Sequence, residues 1–570
     1  MPPLEKAEEP TQPVNYRNWA GVLSGLLLWS TFPPLEWHWL AWLALAPLFW
    51  LTIQGGSRRR IYLSAWAGGL AFWGPAIQWI RLTDASAISA WFAMALIFSV
   101  WWPGFVLITR IAVFRLKLPL ILAAPLIWVG LEYSRAFILT GFPWYHLAHS
   151  QYRNLYLIQI ADFTGSLGVS LLIASANALL VDLGTLPLLK RTPKGIRVTN
   201  RQMLRLWSIA VMIGATLTYG SLRIQGAQFR DGPRLALLQS NIPQELKNGR
   251  DWEKILEEFK HLVEIAVRKQ DRPDLIVWPE TSYPYGYISI DPTVTTDSLG
   301  EQIRNSVRSE MTAQEWIDYG RFYAERIHAW ADAVNVPMLV GCLYYDHRPD
   351  GLRKYNSAIL FEPMDKAIRF YHKIHLVPFG EFIPFLETLP WLQVFTPYRN
   401  GYVPALTFGN GYDRIALKDT RLAVAICFED TVPHHVRRFF ENPDPKEQPD
   451  VLINISNDGW FHGSEELDMH LAVSVFRTVE NRTPLARSVN TGITALIDGN
   501  GQILASLPKQ TSNVLSVTVP LDDRTSFYSV QGDWVGFSCL SVTIGFLVLG
   551  SVGRRPFRPL HPASLPNSPN

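Results

Sequence analysis

The chain has 570 residues, of which 48% are hydrophobic, and its mean hydropathy is +0.07. The formal net charge is only +3, which does not indicate a nucleic-acid-binding protein. Three cysteines, Cys342, Cys427 and Cys539, are too widely spaced to predict a disulfide framework or a zinc site. The sequence has no glycine-rich phosphate loop and no HExxH motif. Apolar residues are concentrated at 19–223 and 532–550, and the stretch between them has an ordinary globular composition.

Eight apolar segments approach the length of about 20 residues that a membrane-spanning helix needs. They lie at 18–33, 36–54, 61–80, 88–109, 118–138, 165–187, 204–223 and 532–550. Lys and Arg are concentrated in alternate loops, at 55–60, 110–117 and 190–205, and again at 553–559. Because loops rich in positive charge stay in the cytoplasm, both termini are predicted to be cytoplasmic.

This topology divides the chain into a membrane part and an extracytoplasmic part. The predicted divisions are a cytoplasmic tail at 1–17, a seven-helix membrane domain at 18–223, an extracytoplasmic domain at 224–531, a final helix at 532–552 and a cytoplasmic tail at 553–570. The aromatic loop at 140–154 follows the fifth segment. Either it lies amphipathically in the membrane interface on the side of the extracytoplasmic domain, or it is a plain loop with an aromatic belt.

Short apolar runs alternate with amphipathic helical patterns between 224 and 531. The predicted strands are 234–241, 274–280, 337–345, 355–362, 421–429, 450–457 and a hairpin at 494–506. The predicted helices are 251–269, 313–334 and 466–482. This alternation is typical of a layered α/β domain.

Three of the predicted strands end in a polar or reactive group. Glu280 ends "LIVWPE", Cys427 ends "LAVAIC", and Asn457-Asp458 end "VLINISND". Functional groups in α/β sheets collect at strand ends. Cys427 is either a small core residue or a nucleophile, and a thiol with the usual pKa of about 8.5 needs a base to act as one.

Several residues are candidates to serve such a nucleophile. Glu280 is a candidate general base, and Lys373, in "YHKIHLVPFGEFIPF", is a candidate to stabilise an oxyanion. Four histidines are further candidate bases: His372, His375, His462 and His470.

The motifs "VWPE", "YHKIHLVPFGEF" and "AICFED" occur in that order and resemble the Glu–Lys–Cys triad of the nitrilase superfamily, which acts on carbon–nitrogen bonds and acyl groups. With seven predicted spans before the triad domain and one after it, the chain is similar to apolipoprotein N-acyltransferases over about 18–552. "TGFPWYHLAHSQ", "LLQSNIPQELK", "ISNDGWF", "ENRTPLARSVNTGITALID" and "SFYSVQGDW" also resemble that family. The resemblance implies a polytopic α-helical membrane domain joined to a nitrilase-like αββα sandwich.

The resemblance also implies a reaction. A fatty acyl group would pass from the sn-1 position of a membrane phospholipid to the α-amine of the diacylglyceryl-cysteine of an apolipoprotein. Cys427 would carry the acyl group as a thioester, Glu280 would be the general base and Lys373 would hold the oxyanion. Glu381 and Glu429 match two further family carboxylates and would support these three. The resemblance implies no cofactor or metal, and a monomer in the bacterial inner membrane with its catalytic domain on the periplasmic side.

Two positions depart from the family pattern. Phe428 stands where the family often has Tyr, and Asn248 where it often has Trp, a role that Trp252 could take. Two other functions are compatible with parts of the sequence. One is a membrane-anchored amidase, and the other is a transporter or receptor, which would need charged residues along the spans. Glu132 and Asp162 are the main ones present.

Overall fold

The computed structural model describes residues 19–552, apart from 85–86, 186–188, 193–194, 199, 250, 269–270, 397–403, 443 and 445–446. The predicted tails at 1–17 and 553–570 lie outside the described residues, and so does part of the basic loop at 190–205.

All eight predicted apolar segments contain helices. The first seven contain α1 (Ala20–Trp29), α2 (Ala41–Ala44), α3 (Ala46–Thr52), α4 (Arg58–Ala76), α5 (Ala87–Ser99), α6 (Trp101–Arg110), α7 (Leu120–Arg135), α10 (Ser166–Thr185) and α11 (Asn200–Gln225). Two short helices, α8 (Leu155–Ile158) and α9 (Ala161–Thr164), lie between the fifth and sixth segments, and a hairpin of β1 (Leu189–Thr192) and β2 (Gly195–Val198) precedes α11. Among the described residues, four helical stretches are long and apolar enough to cross a membrane: Ala87–Arg115, Ser166–Thr185, Gln202–Gln225 and Trp534–Val552. The count of eight spans therefore stays a prediction.

The chain after α11 forms two β-sheets and the helices that cover them. The strands are β3 (Phe229–Gln239), β4 (Leu275–Val277), β5 (Tyr283–Ile290), β6 (Met338–Arg348), β7 (Gly351–Phe361), β8 (Ile368–His372), β9 (Ile415–Leu417), β10 (Thr420–Ile426), β11 (Val451–Ser456), β12 (Leu485–Val489), β13 (Ala495–Ile497), β14 (Ile503–Ser506) and β15 (Asn513–Asp522). The helices are α12 (Gln244–Asn248), α13 (Trp252–Arg268), α14 (Thr296–Gln302), α15 (Ala313–Val334), α16 (Pro433–Arg437), α17 (Glu466–Asn481), α18 (Phe527–Gln531) and, closing the chain, α19 (Trp534–Val552).

The two sheets face each other. The first has the order β15-β3-β4-β6-β7-β8 with β5 beside β6, and the second has the order β14-β13-β12-β11-β10-β9. Leu237 and Val277 of the first sheet share one core with Val424 and Ile453 of the second. The Ser488 hydroxyl lies between the sheets, within hydrogen-bonding distance of carbonyl oxygens of β3 and β4. Because α13 and α15 cover the outer face of the first sheet and α17 packs on the second, the predicted αββα sandwich is confirmed.

Helix α17 also joins the sandwich to the membrane helices. Arg482, which ends α17 with a φ of +52°, is fully buried. Its guanidinium donates to the Asp162 carboxylate of α9 at 2.6 Å and to Gln159 Oε1 at 2.6 Å. Glu480 accepts the backbone N–H of Ser166, the first residue of α10, at 2.9 Å. The two halves of the molecule are therefore held together by buried ionic contacts as well as by apolar packing.

The aromatic loop at 140–154 belongs to the same junction. Residues 141–152 are all buried, and the Trp144 ring stacks on Phe428 of the sandwich with ring centroids 6.4 Å apart. The Trp144 ring contacts the sandwich, whereas Phe142 and Tyr145 pack on Trp73 of α4. Neither interpretation predicted this burial, and the position of the loop relative to a membrane interface stays a prediction.

Replacing Arg482 with Met should lower the free energy of unfolding by about 3 kcal/mol, because the change removes a buried ionic partner of Asp162. Thermal unfolding of the purified protein in detergent, followed by tryptophan fluorescence, measures the effect. The matched control is Arg268→Met on α13, whose exposed ion pair with Glu264 should contribute less than about 1 kcal/mol. Equal unfolding midpoints for the two variants would contradict the role of the junction.

Candidate functional site

Cys427 stands at the carboxyl end of β10, where the sandwich turns from strand to helix. The five residues before it are buried, and β10 lies between β9 and β11 in the second sheet. Cys427 itself has a φ of +54°, a left-handed conformation that a residue with a Cβ adopts at a cost. The conformation begins a short 3₁₀ turn, Cys427–Thr431, and leaves the side chain partly accessible. Cys342 and Cys539 are buried, so Cys427 is the accessible thiol.

Glu280 follows β4 and brings a buried carboxylate to the same end of the sandwich. Its Oε1 accepts hydrogen bonds from Asn356 Nδ2 at 2.7 Å and from Lys373 Nζ at 3.2 Å. Its Oε2 accepts the backbone N–H of Asn457 at 2.9 Å. Three donors on one carboxylate fix its orientation, so Glu280 is placed as a rigid group rather than a mobile surface acid.

Lys373 lies between two glutamates. Its side chain is 1% exposed, and the ammonium lies 3.2 Å from Glu280 Oε1 and 2.9 Å from Glu381 Oε2. Burial acts to lower the pKa of Lys373, but the two carboxylates outweigh burial and raise the pKa well above its usual range. Lys373 is therefore a permanent cation. Glu381 is itself held by the backbone N–H of Val377 at 2.7 Å and by Asn356 Nδ2 at 2.9 Å.

The electrostatics of this group decide the resting state of the nucleophile. Burial first, and the Glu280 carboxylate second, raise the pKa of the Cys427 thiol well above its usual range, while Lys373 acts in the opposite direction. The thiol is protonated at rest, so an attack by sulfur requires a base. Glu280 is the carboxylate with the strongest effect on the thiol, and Lys373 supplies a fixed positive charge. The arrangement has the parts of a base-assisted thiol nucleophile with electrostatic stabilisation.

Glu429 is placed differently from the other two glutamates. It is fully buried, its Oε1 accepts the backbone N–H groups of Ile374 at 2.7 Å and His375 at 2.9 Å, and its Oε2 accepts that of Ile426 at 2.7 Å. Burial opposes ionisation, but His435 and these donors hold the pKa of Glu429 below its usual value. Glu429 thus ties the strand that ends at Cys427 to the loop that begins at Lys373.

The four candidate histidines do not hydrogen-bond to the Cys427 thiol in the part of the chain that the structure describes. His372 stacks on Tyr355 with centroids 4.1 Å apart, and His375 stacks on Phe428 at 5.7 Å. His462 is exposed, and His470 is buried against Asp430. The geometry therefore does not support any of these four histidines as the base in place of Glu280.

Sequence reasoning missed Asn356, which touches both Glu280 and Glu381. It lies within the buried half of β7, at 2% exposure, where an amide needs partners. The available signal in the sequence was the Asn in the run "YNSAILFE".

The structure also places the residues at which the sequence departs from the family pattern. Phe428 lies between Trp144 and His375, and Trp252 packs against the helix-covered core of the first sheet.

One group of side chains has the composition of a metal site. Atoms of Asp458, Glu466 and His470 lie within 4.8 Å of one another, and all three residues are buried. However, His470 Nε2 is 2.8 Å from Asp430, and Arg487 Nη1 is 2.7 Å from the same carboxylate. Against burial and Arg487, the acidic neighbours raise the pKa of His470 to about 10. His470 and Arg487 supply positive charge to the neighbouring carboxylates, so the group is better described as a buried network of ion pairs than as a metal site.

The sandwich and its site define a carbon–nitrogen hydrolase domain. Residues 234–528 match the carbon–nitrogen hydrolase family model, and residues 24–179 match the model of the apolipoprotein N-acyltransferase N-terminal domain. The chain belongs to the apolipoprotein N-acyltransferase family. It is 32% identical over 538 residues to an apolipoprotein N-acyltransferase of Geobacter metallireducens, covering 91% of this chain and 92% of that protein.

A second relative covers a similar share of the chain. An apolipoprotein N-acyltransferase of Chlorobaculum tepidum is 28% identical over 565 residues, covering 94% of this chain and 96% of that protein. A crystal structure of a carbon–nitrogen hydrolase from Helicobacter pylori aligns with a TM-score of 0.34 at 16% identity, over 56% of this chain and 92% of that one.

Replacing Glu429 with Gln should lower the rate of acylation at Cys427 by about tenfold or more. The amide carries no negative charge, and its single oxygen cannot accept hydrogen bonds from all three backbone N–H groups. Intact-mass measurement of acylation against time would show the change. Glu447→Gln, at an exposed pair with Arg421, is the control and should acylate at the wild-type rate. A normal rate in Glu429→Gln would exclude the positioning role.

Proposed function

We propose that the protein transfers a fatty acyl group from the sn-1 position of a membrane phospholipid to the N-terminal α-amine of the diacylglyceryl-cysteine of apolipoproteins. The observation that carries the proposal is the Glu280–Lys373–Cys427 group, a protonated thiol beside a fixed carboxylate and a buried ammonium. In a chain of the apolipoprotein N-acyltransferase family, such a group fits acyl transfer through a thioester.

The first half-reaction forms the acyl-enzyme. Cys427 Sγ attacks the ester carbonyl carbon while the thiol proton passes to Glu280. Lys373, held between Glu280 and Glu381, faces the negative charge that develops on the carbonyl oxygen. The tetrahedral intermediate then collapses, the carbon–oxygen bond to the glycerol breaks, and Glu280 returns the proton to the departing alkoxide. The products are a thioester on Cys427 and a lysophospholipid.

The second half-reaction uses the same groups in the reverse direction. The α-amine of the apolipoprotein attacks the thioester carbonyl, and Glu280 takes a proton from the nitrogen. The carbon–sulfur bond breaks, the amide leaves, and the proton returns to Cys427. Because both steps pass through an oxyanion at one carbon atom, a single Lys373 can serve both.

The proposed reaction requires access from the lipid phase. Exposed apolar side chains cluster in the segment that follows Glu381, with Phe385, Trp391 and Val394 each about 60% exposed, and this segment lies next to α5. These contacts support a site that opens beside the membrane. The proposal includes a monomer in the bacterial inner membrane, a membrane domain at 18–223 with a final helix at 532–552, and a catalytic domain at 224–531 on the periplasmic side.

Incubation of the purified protein with a phospholipid alone should add one fatty-acyl mass to the peptide that carries Cys427. Hydroxylamine should release the adduct, and Cys427→Ala should not form it, because only a thioester behaves in this way. Addition of a synthetic diacylglyceryl-cysteine peptide should then discharge the acyl group to its α-amine. An adduct-free, folded and lipid-bound protein would instead favour a hydrolase with a small amide substrate, and the acyl-transfer proposal would fail.

A further inference from the structure

Ser456 lies beside the nucleophile at the carboxyl end of the neighbouring strand. Strands β10 and β11 are parallel, with Ile426 opposite Ile455, so the next residues, Cys427 and Ser456, are neighbours at the same sheet edge. Asn454 Nδ2 donates to the Cys427 carbonyl at 3.2 Å and ties the two strand ends together. Ser456 is fully buried, so the hydrogen-bond partners of its hydroxyl are protein groups and not bulk water.

The hydroxyl of Ser456 donates its one hydrogen to Asp458 Oδ1 at 2.6 Å. Behind Asp458 lies a line of buried charged groups, which we call the ion chain: Asp458, His470, Asp430 and Arg487. His470 Nδ1 lies 3.5 Å from Asp458 Oδ1, His470 Nε2 lies 2.8 Å from Asp430 Oδ1, and Arg487 donates to Asp430 Oδ2 at 2.7 Å. Every member of the ion chain is at most 1% exposed.

This arrangement gives the Ser456 hydroxyl two usable orientations. While Cys427 keeps its proton, the Ser456 hydroxyl donates its hydrogen bond to the Asp458 carboxylate. Once Glu280 has taken the thiol proton, the sulfur is an anion that needs donors. The hydroxyl can then rotate toward sulfur, because Asp458 keeps the cationic His470 beside it and is not left without a partner.

We propose that Ser456 is a hydrogen-bond donor to the sulfur of Cys427 when the thiolate forms or leaves, and that the ion chain makes this rotation possible by holding Asp458. No proton moves through Ser456: the thiol proton goes to Glu280 and returns from it. The charged groups that face the thiol are Glu280, Lys373 and Asp458. The inference rests on the proposed function of Cys427 as the nucleophile.

The test measures the thiol itself, without acyl transfer. Full-length protein in detergent is treated with iodoacetamide between pH 6 and 10, and the alkylated Cys427 peptide is quantified by mass. Ser456→Ala should alkylate about tenfold more slowly near neutral pH and shift the profile to higher pH, because the thiolate loses a donor. Ser488→Ala is the matched control, since Ser488 is an equally buried serine of the neighbouring strand whose hydroxyl meets only backbone carbonyls. Its profile should equal that of the wild type.

Two further variants keep the inference falsifiable. Ser456→Thr retains a hydroxyl and should keep the wild-type profile. His470→Gln removes the charge that supports Asp458 and should shift the profile to higher pH, as Ser456→Ala does. An unchanged profile in folded Ser456→Ala, or in folded His470→Gln where Ser456→Ala does not fold, would overturn the proposal.

The outcomes also separate this inference from the proposed function. Absence of an acyl adduct in the wild type, together with the expected alkylation shifts, would reject acyl transfer and leave the role of Ser456 standing. A normal acyl adduct together with unshifted profiles would reject the role of Ser456 alone.

Discussion

The rest of the site depends on one buried cation shared by two carboxylates. An ammonium at 1% exposure is costly unless it is paired, and Lys373 is paired with both Glu280 and Glu381. One ammonium cannot donate to all the oxygen atoms of two carboxylates. The remaining hydrogen bonds come from the Asn356 amide and from the backbone N–H groups of Val377 and Asn457. These three partners come from three different segments of the sandwich, β7 in the first sheet, the loop after β8, and the end of β11 in the second sheet, so the site exists only when both sheets are assembled.

The requirement that buried charged groups have partners also explains how the membrane helices are joined to the sandwich. The helix α17 covers the second sheet and contacts α9, and Arg482 at its end reaches Asp162. The aromatic loop around Trp144 fills the space between α7 and the turn after Cys427. Because buried polar groups at this junction have partners from both halves, the orientation of the site relative to the membrane helices is set by hydrogen bonds and not by a flexible linker.

Much of this could be predicted from the sequence, for a physical reason. Glu280 and Cys427 each end an apolar run and Lys373 lies in an apolar, aromatic stretch, so local pattern makes them candidates, whereas their roles were predicted from the resemblance of the three motifs to a known triad. In the sandwich, the strands β5, β8, β9, β12 and β15 were not predicted, because strand formation there depends on pairing with other strands, as for β15 with β3 and β5 with β6. The partners of Asn356 and the burial of the loop at 140–154 were not predicted either, since both depend on tertiary contacts that the local sequence does not specify, although an Asn within an apolar run indicates a buried polar group.

A thiol that stays protonated at rest suits the compartment that we propose for the site. In an oxidising environment a free thiolate is exposed to oxidation and exchange, and its susceptibility follows its thiolate fraction. Burial and Glu280 keep Cys427 in the unreactive form. Sulfur becomes nucleophilic only while Glu280 holds the proton, and Lys373 opposes burial and Glu280 by stabilising the thiolate. The same ammonium also stabilises the oxyanion that forms when sulfur attacks an acyl carbonyl, so its full effect is reached only when an acyl group is present.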